Sequence, residues 1–234
     1  RRKIDIAQTL AEVEDIYRPY KPKRRTRATI AKEKGLEPLA LTIKAQELST
    51  PLLDEAAKYV DPENDVHVPE DAINGACDII AEEVSDNADY RSYIREKTKK
   101  EGLIVSTQKK ENAPSVYEMY YDYSEKLTTV PGHRVLAMNR GEKEDFLTVK
   151  ITAPEEDIVR YLEKQLVTKD NPNTTPALKN AASDAYDRLI APSIEREIRS
   201  DLTEMAEDGA IKVFAANLRQ LLFAPPLTGK TVLG

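Results

Sequence analysis

Apolar residues recur at three- and four-residue spacing along most of the chain, and this period is typical of helices that bury one face. The first predicted helix covers residues 3–17, where Leu10, Val13 and Ile16 belong to the apolar stripe. Prolines separate the periodic segments, so the pattern predicts short helices joined by proline-marked loops. The further helices predicted in this way cover residues 51–60, 70–85, 114–127, 177–190, 192–208 and 209–224.

A strand pattern occurs in one part of the chain. The runs HRVLAMNR (133–140) and EDFLTVKIT (144–152) are rich in β-forming residues and flank a turn at residues 139–142. An isolated hairpin is barely stable in water, so we expect it to lie on helices or to join another strand. The expected fold class is therefore mainly α: an irregular multi-helix array with one small antiparallel β-hairpin.

Six basic residues lie close together where the first helix breaks at Pro19 and Pro22. Thr26 is placed to cap a second helix and Gly35 to end it, so this segment is predicted to be held between two helices. Phosphate groups or an acidic protein surface would bind such a fixed cationic segment. Alternatively, its arginines pair with acids of neighbouring helices and fix how the segment packs. The candidate nucleic-acid-binding residues, which we call the basic elbow, are Arg18, Lys21, Lys23, Arg24, Arg25 and Arg27.

The composition limits what the basic elbow can do. The chain has a formal net charge of −6, whereas a dedicated nucleic-acid-binding domain usually carries a basic balance. Any contact with RNA or DNA is therefore expected to be local. The apolar runs are shorter than the roughly 18–20 residues of a membrane span, and no signal-peptide pattern opens the chain. We expect a cytoplasmic protein that engages neither a membrane nor a small-molecule substrate.

Residues with catalytic or metal-binding potential are sparse. The single cysteine, Cys77, lies in an apolar helical pattern and is interpreted as a core residue. His67 has acidic neighbours, but their spacing matches no common set of metal ligands. No nucleophile–base pair is evident, so the sequence predicts a protein that is not an enzyme and has no catalytic residues, no cofactor and no metal site.

Three stretches resemble the bacterial Tex family of transcription accessory proteins. They are EDIYRPYKPKRRTRATIAKEKGLEPL (14–39), YDYSEKLTTVPGHRVLAMNRGEKEDFLTVKI (121–151) and the segment 191–234 that ends in FAPPLTGKTVLG. The resemblance implies an α-helical scaffold, nucleic-acid binding by the intact protein and a role in transcription. It also implies a YqgF domain, helix-hairpin-helix elements and an S1 domain, whose sequences are not found in this chain beyond the entry to the YqgF domain. We therefore expect a piece of a longer protein.

The resemblance also suggests a division of the chain. Residues 1–130 are expected to form a Tex N-terminal-like helical region with the basic elbow, and residues 131–152 the hairpin. Residues 153–224 are expected to supply the closing helices of the same helical unit. Residues 225–234 are expected to be a linker and the first strand residues of a YqgF-like domain.

Two functional hypotheses follow. In the first, the chain is a non-catalytic scaffold that contacts RNA or DNA phosphates through the basic elbow. In the second, it is a protein-interaction module that docks RNA polymerase, other transcription machinery or other domains of its own chain. Nucleic-acid binding would then be done by the S1 and helix-hairpin-helix domains.

Overall fold

The computed structural model describes residues 7, 9–21, 24–109, 115–224 and 229. The fold is mainly α with a small antiparallel sheet, as the sequence predicted. In chain order the helices are α1 Leu10–Tyr17, α2 Arg27–Glu33, α3 Glu37–Ala45, α4 Leu52–Ala56, α5 Pro69–Ser85, α6 Ala88–Glu101, α7 Gly132–Lys143, α8 Glu155–Leu166, α9 Thr175–Asp184 and α10 Ala191–Leu222. The strands are β1 Leu103–Gln108, β2 Asp122–Lys126 and β3 Leu147–Thr152.

The chain packs as two units. The first contains α1 to α6, α8, α9 and the beginning of α10, through Arg196. The second contains β1, β2, β3 through Ile151, α7 and α10 from Glu197 onward. The residues of the basic elbow that the structure describes all belong to the first unit.

Helix α5 is the central helix of the first unit, and α2, α3, α4 and α9 pack against it. Its start is fixed locally, because Pro69 occupies the first position and the Asp71 carboxylate accepts hydrogen bonds from the N–H groups of His67 (3.0 Å) and Val68 (3.2 Å). The buried face was predicted from the apolar spacing and is confirmed. It includes Ala72, Ala76, Cys77, Ile80 and Val84.

The predicted hairpin is half wrong. Residues 144–152 do supply a strand, β3, but residues 133–140 lie in the helix α7. Helix α7 buries Val135, Met138 and Gly141 at three-residue spacing, so its apolar residues fit a helical face as well as a strand. The chain turns at Asp145, which has a φ of 66°, rather than at residues 139–142. The β-rich composition of this run was therefore overridden by helical packing.

The sheet has the strand order β2-β1-β3, and β1 and β2 are antiparallel, with Leu103 opposite Lys126 and Thr107 opposite Asp122. The helix predicted over 114–127 is consequently wrong, because its second half forms β2. Tyr117 and Tyr120 of this segment are buried and belong to the core. Burial alternates along β2, where Tyr123 and Glu125 are half-buried and Asp122, Ser124 and Lys126 are exposed, as expected for a strand with one face on the protein.

The backbone of β3 is capped by side chains on the side away from β1. The N–H of Val149 donates to Glu142 Oε1 at 3.2 Å, and Arg199 Nη1 donates to the carbonyl oxygen of Val149 at 2.7 Å. Arg199 Nη2 also donates to Glu142 Oε2 at 2.6 Å. Burial raises the pKa of the Glu142 carboxyl, but the bonds from Arg199 and from the Val149 N–H outweigh it and leave that pKa lowered.

The last helices form one continuous run rather than the separate helices predicted from the sequence. A π-helical segment, Ala185–Ile190, joins α9 to α10. Pro192 is the second residue of α10, where its ring has no N–H to donate and crowds the carbonyl four residues earlier. A wider π turn before the proline accommodates this without ending the helix. From Glu207 onward every residue of α10 is exposed.

Candidate nucleic-acid interface

The basic elbow lies between α1 and α2. A single 3-10 turn, Arg18–Tyr20, follows α1 directly. Thr26 caps α2, since its side-chain oxygen accepts a hydrogen bond from the N–H of Thr29 at 3.1 Å. Gly35 ends the turn after α2 with a φ of 77°, a conformation that glycine adopts without strain. The capping and termination predicted for this segment are therefore confirmed.

Helix α1 contacts the protein through a buried charge and through half-buried apolar residues, Val13 and Ile16. Asp15 is its one buried residue, whereas Leu10, from the predicted apolar stripe, is 77% exposed. Asp15 Oδ1 accepts a hydrogen bond from Arg91 Nε, and Asp15 Oδ2 accepts one from Arg95 Nη2, both at 2.5 Å. Arg91 also donates to Ser193 Oγ at 3.0 Å. Of the predicted apolar stripe, Val13 and Ile16 are half-buried and Leu10 is exposed, and residues 1–6 and 8 lie outside the described residues.

Two of the six predicted binding residues are engaged by carboxylates. Arg18 lies 3.3 Å from Asp86, measured from Nε to Oδ1. Arg25 donates to Glu33 Oε2 from Nη2 at 2.7 Å and from Nε at 3.2 Å, so that it braces α2 along its own surface. The Arg25–Glu33 pair is exposed and stabilises the protein only slightly, whereas the Arg18–Asp86 pair is partly buried, and in both pairs the carboxylate partly neutralises the guanidinium group.

Three of the predicted binding residues have charged side chains that an external ligand can reach. Lys21, Arg24 and Arg27 are exposed, and within the described ranges none of their side chains forms a salt bridge or a hydrogen bond. Arg27 still acts at longer range: burial raises the pKa of Asp78, and the charges of Arg188 and Arg27 oppose that rise. Lys23, the sixth candidate, lies outside the described residues. The candidate interface therefore retains three exposed cations, two between α1 and α2 and one, Arg27, at the first position of α2.

Sequence reasoning missed the residues that hold this connection in place, namely Asp15 and Asp86. Asp15 lies next to the apolar residue Ile16, which gave no sign that the acid would be buried. A usable signal was present in α6, where Arg91 and Arg95 are one helical turn apart and can grip a single carboxylate. Only the packing of α1 on α6 identifies which carboxylate that is.

Cys77 and His67, which were considered for catalysis and metal binding, have structural roles. Cys77 is buried, and burial, together with the charges of Asp78 and Asp184, raises the pKa of its thiol to about 11. This thiol is therefore a core residue, as predicted, and a poor nucleophile. His67 contributes its backbone N–H to the cap of α5. In the part of the chain that the structure describes, no three His, Cys, Asp or Glu side chains are grouped as metal ligands would be.

Among the described helices, none combines the length and the apolar content that crossing a lipid bilayer requires.

Comparison with known proteins identifies the family. Residues 49–214 match the family model described as Tex central region-like. The chain belongs to the Tex family. Across its full length it is 49% identical to YdcI of Bacillus subtilis (strain 168), covering 33% of that protein, and 37% identical to Protein tex of Bordetella pertussis, covering 31%. The S1 RNA-binding domain-containing protein 1 of Homo sapiens is 28% identical over 97% of the chain, which covers 24% of that protein.

The Tex-family chain thus spans about a third of the length of these bacterial relatives. The matched region begins after α3, so the basic elbow precedes it. The full-length relatives nevertheless align with the elbow as well, because their similarity covers the whole chain.

Proposed function

We propose that this chain is a non-catalytic helical scaffold of a Tex-family protein and that it contacts RNA or DNA phosphates through the basic elbow. The observation that carries the proposal is the contrast within the elbow. Arg18 and Arg25 are bound to carboxylates, whereas Lys21, Arg24 and Arg27 are exposed without such a pairing in the described structure. Lys21, Arg24 and Arg27 form no such ion pair in the described structure, although the charge of Arg27 acts on Asp78 at longer range, and exposed cations of this kind are suited to an external anion.

The names of relatives support a role with nucleic acid. One relative, from Neisseria gonorrhoeae, is called a transcriptional accessory protein, and the human relative is named for an S1 RNA-binding domain. Under this proposal the intact protein acts in transcription, in the cytoplasm, and RNA polymerase or other transcription machinery is a further partner. The elbow supplies a local, salt-dependent phosphate contact beside whatever the rest of the protein binds.

A second candidate function is docking of an acidic protein surface. The pairs Arg18–Asp86 and Arg25–Glu33 favour it, because they show that arginines of this segment meet carboxylates, and Arg25 does so through two hydrogen bonds. The same three exposed cations would then contact a protein partner, and nucleic acid would be bound by other domains. Both candidates assign the surface to the same residues, so a single set of variants tests them.

The test is a fluorescence-anisotropy titration of the 234-residue chain into labelled single-stranded RNA and labelled duplex DNA, from low to physiological salt. The variant replaces Lys21, Arg24 and Arg27 with Glu. A matched control replaces the exposed residues Lys100, Lys150 and Lys212 with Glu, which changes the net charge equally at other places. Circular dichroism verifies that both variants are folded.

We expect the elbow variant to bind more weakly at all salt concentrations. The slope of log K against log salt should become shallower by about 1 for each phosphate contact removed. The control should keep the slope of the unmodified chain. Equal losses in both variants would show that net charge alone matters, and absence of binding even at low salt would reject the phosphate contact in favour of protein docking, for which purified RNA polymerase is the first partner to titrate.

A further inference from the structure

Two tyrosines beside the basic elbow are exposed to an unusual degree for aromatic residues. Tyr17 is the last residue of α1 and is 50% exposed, and Tyr20 ends the following 3-10 turn and is 78% exposed. Other tyrosines of the described chain pack against one another, for example Tyr93 on Tyr161, whose ring centroids are 3.8 Å apart. Tyr17 and Tyr20 take part in no aromatic pair or cation–π contact that the described residues form. The rings of Tyr17 and Tyr20 are therefore accessible to a ligand.

The turn that carries both rings is held at Asp15, before Tyr17, and at Arg18, between the two tyrosines. Two residues before Tyr17, the buried Asp15 is gripped by two arginines of α6, and between the tyrosines Arg18 is paired with Asp86. Pro19 further restricts the backbone of the turn. A ligand that stacks on these rings would therefore order little of the protein, and this lowers the entropic cost of binding.

The placement of the rings suits a chain of nucleotides. Backbone angles from Tyr17 to Arg18 are helical, so Tyr17 and Tyr20, three residues apart, lie on the same side of the turn. Lys21 follows Tyr20 directly, and Arg24 comes three residues later. Flat apolar surfaces next to cations match unpaired bases joined by phosphates, which bind through stacking and charge together. In a duplex the bases are already stacked and paired, so only the phosphates would be reachable.

We propose that Tyr17 and Tyr20 stack on unpaired bases, so that the basic elbow takes single-stranded nucleic acid in preference to duplex. This inference rests on the proposed phosphate contact and adds a base contact to it. Under this inference the two rings distinguish single-stranded from duplex nucleic acid, and the three exposed cations bind the phosphates of both.

The experiment compares three labelled probes with equal numbers of phosphates: an oligothymidine, an oligomer of the same length in which every site is abasic, and a short duplex. Each is titrated with the unmodified chain at low salt. Tyr17→Leu and Tyr20→Leu remove one ring each, and Tyr20→Phe keeps the ring but removes the hydroxyl. Phe223→Leu is the control, because Phe223 is also 78% exposed.

We expect the chain to bind oligothymidine more tightly than the abasic oligomer or the duplex. Each Tyr→Leu substitution should weaken oligothymidine binding at least about fivefold, as loss of a stacked base does. The same substitutions should leave the affinity for the abasic oligomer unchanged. Tyr20→Phe and Phe223→Leu should bind every probe like the unmodified chain.

Three outcomes overturn the inference, and they separate it from the proposed function. Equal affinity for oligothymidine and the abasic oligomer, unaffected by Tyr→Leu, rejects stacking but leaves the phosphate contact standing. A loss on all three probes after Tyr→Leu means that the tyrosines support the fold of the elbow rather than touch bases. Absence of binding to every probe at low salt rejects the phosphate contact and the stacking together.

Discussion

Asp15 of α1 and Arg91 of α6 form a buried ion pair, with 2.5 Å between Asp15 Oδ1 and Arg91 Nε. Arg95 binds the other carboxylate oxygen, so one acid is shared by two buried guanidinium groups. Burial lowers the pKa of Arg91, and the hydrogen bond and charge of Asp15 oppose that shift. The cost of taking these charges out of water is recovered only while all three are present.

Replacing Asp15 with Ala should lower the free energy of unfolding by about 3–5 kcal/mol, because two buried arginines lose their counter-charge. Urea denaturation followed by circular dichroism measures this. Asp54→Ala is the matched control, since Asp54 is exposed and should change stability by no more than about 0.5 kcal/mol. A loss below about 1 kcal/mol for Asp15→Ala would mean that water screens the pair and that α1 is held by other contacts.

Gln46 joins the end of α3 to the loop after α8, and its side chain bonds four backbone groups, one of which is the carbonyl oxygen of Lys44 at 3.3 Å. Nε2 donates to the carbonyl oxygen of Leu166 at 2.9 Å, and Oε1 accepts from the N–H groups of Thr168 (3.0 Å) and Lys169 (2.8 Å). Gln46→Ala should therefore cost about 2–4 kcal/mol, because these partly buried groups lose their partner.

Gln46 also has a φ of 56°, a left-handed conformation that strains residues other than glycine. Gln46→Gly removes the same hydrogen bonds but relieves this strain, so it should be about 1 kcal/mol more stable than Gln46→Ala. Thermal and urea denaturation of both variants separate the two contributions. If Gln46→Ala and Gln46→Gly lower the free energy of unfolding only slightly and by the same amount, the hydrogen bonds of the Gln46 side chain do not stabilise the fold.

Two helical glycines should respond to alanine in opposite directions. A Cβ added at Gly141 in α7 would lie 2.6 Å from Leu147 Cδ1 and 3.1 Å from Tyr117 Cγ. Gly141→Ala should therefore destabilise the chain by about 1–3 kcal/mol through overpacking. At Gly209 in α10 a Cβ meets nothing within 4 Å, so Gly209→Ala should stabilise by about 0.5–1 kcal/mol. Unfolding midpoints that move in the same direction for both variants would contradict this assignment.

The buried thiol of Cys77 links stability to alkaline pH. Folding raises its pKa from 9.0 to about 11, so the unfolded chain releases the proton first as the pH rises. The contribution of this group is complete below pH 9.0 and is lost as the pH rises toward about 11. Between these limits, the unmodified chain should lose about 2–3 kcal/mol more than Cys77→Ala does. Parallel pH dependences of the two proteins would show that the thiol is not the responsible group.

Local signals in the sequence predicted local structure well. Thr26 as a helix cap, Gly35 as a helix end and Pro69 at a first helical position each depend on backbone geometry within a few residues, and each is confirmed. The assignments that failed depended on distant partners. Residues 114–127 and 133–140 could each be read as helix or strand. The first segment pairs with β1 and the second contacts α10, and these distant partners rather than local preference decided the outcome.

The same contrast between local signals and distant partners applies to the candidate site. The positions of the basic residues could be read from the sequence, but which of them would remain exposed could not. Asp86, which lies far away in the chain, pairs with Arg18, and Glu33, eight residues after Arg25, pairs with Arg25. The burial of Asp15 was equally hidden, because a carboxylate inside a protein is explained only by the two arginines that meet it.

The capping of Val149 has a consequence for self-association. An outer strand normally offers unpaired N–H and C=O groups on which a second chain can assemble into a continued sheet. At the middle of β3 those groups are occupied by Glu142 and Arg199, and an incoming strand would first have to break that ion pair. The side chains thus protect this edge against aggregation, and Arg199→Ala should open it to edge-to-edge assembly as well as weaken the fold.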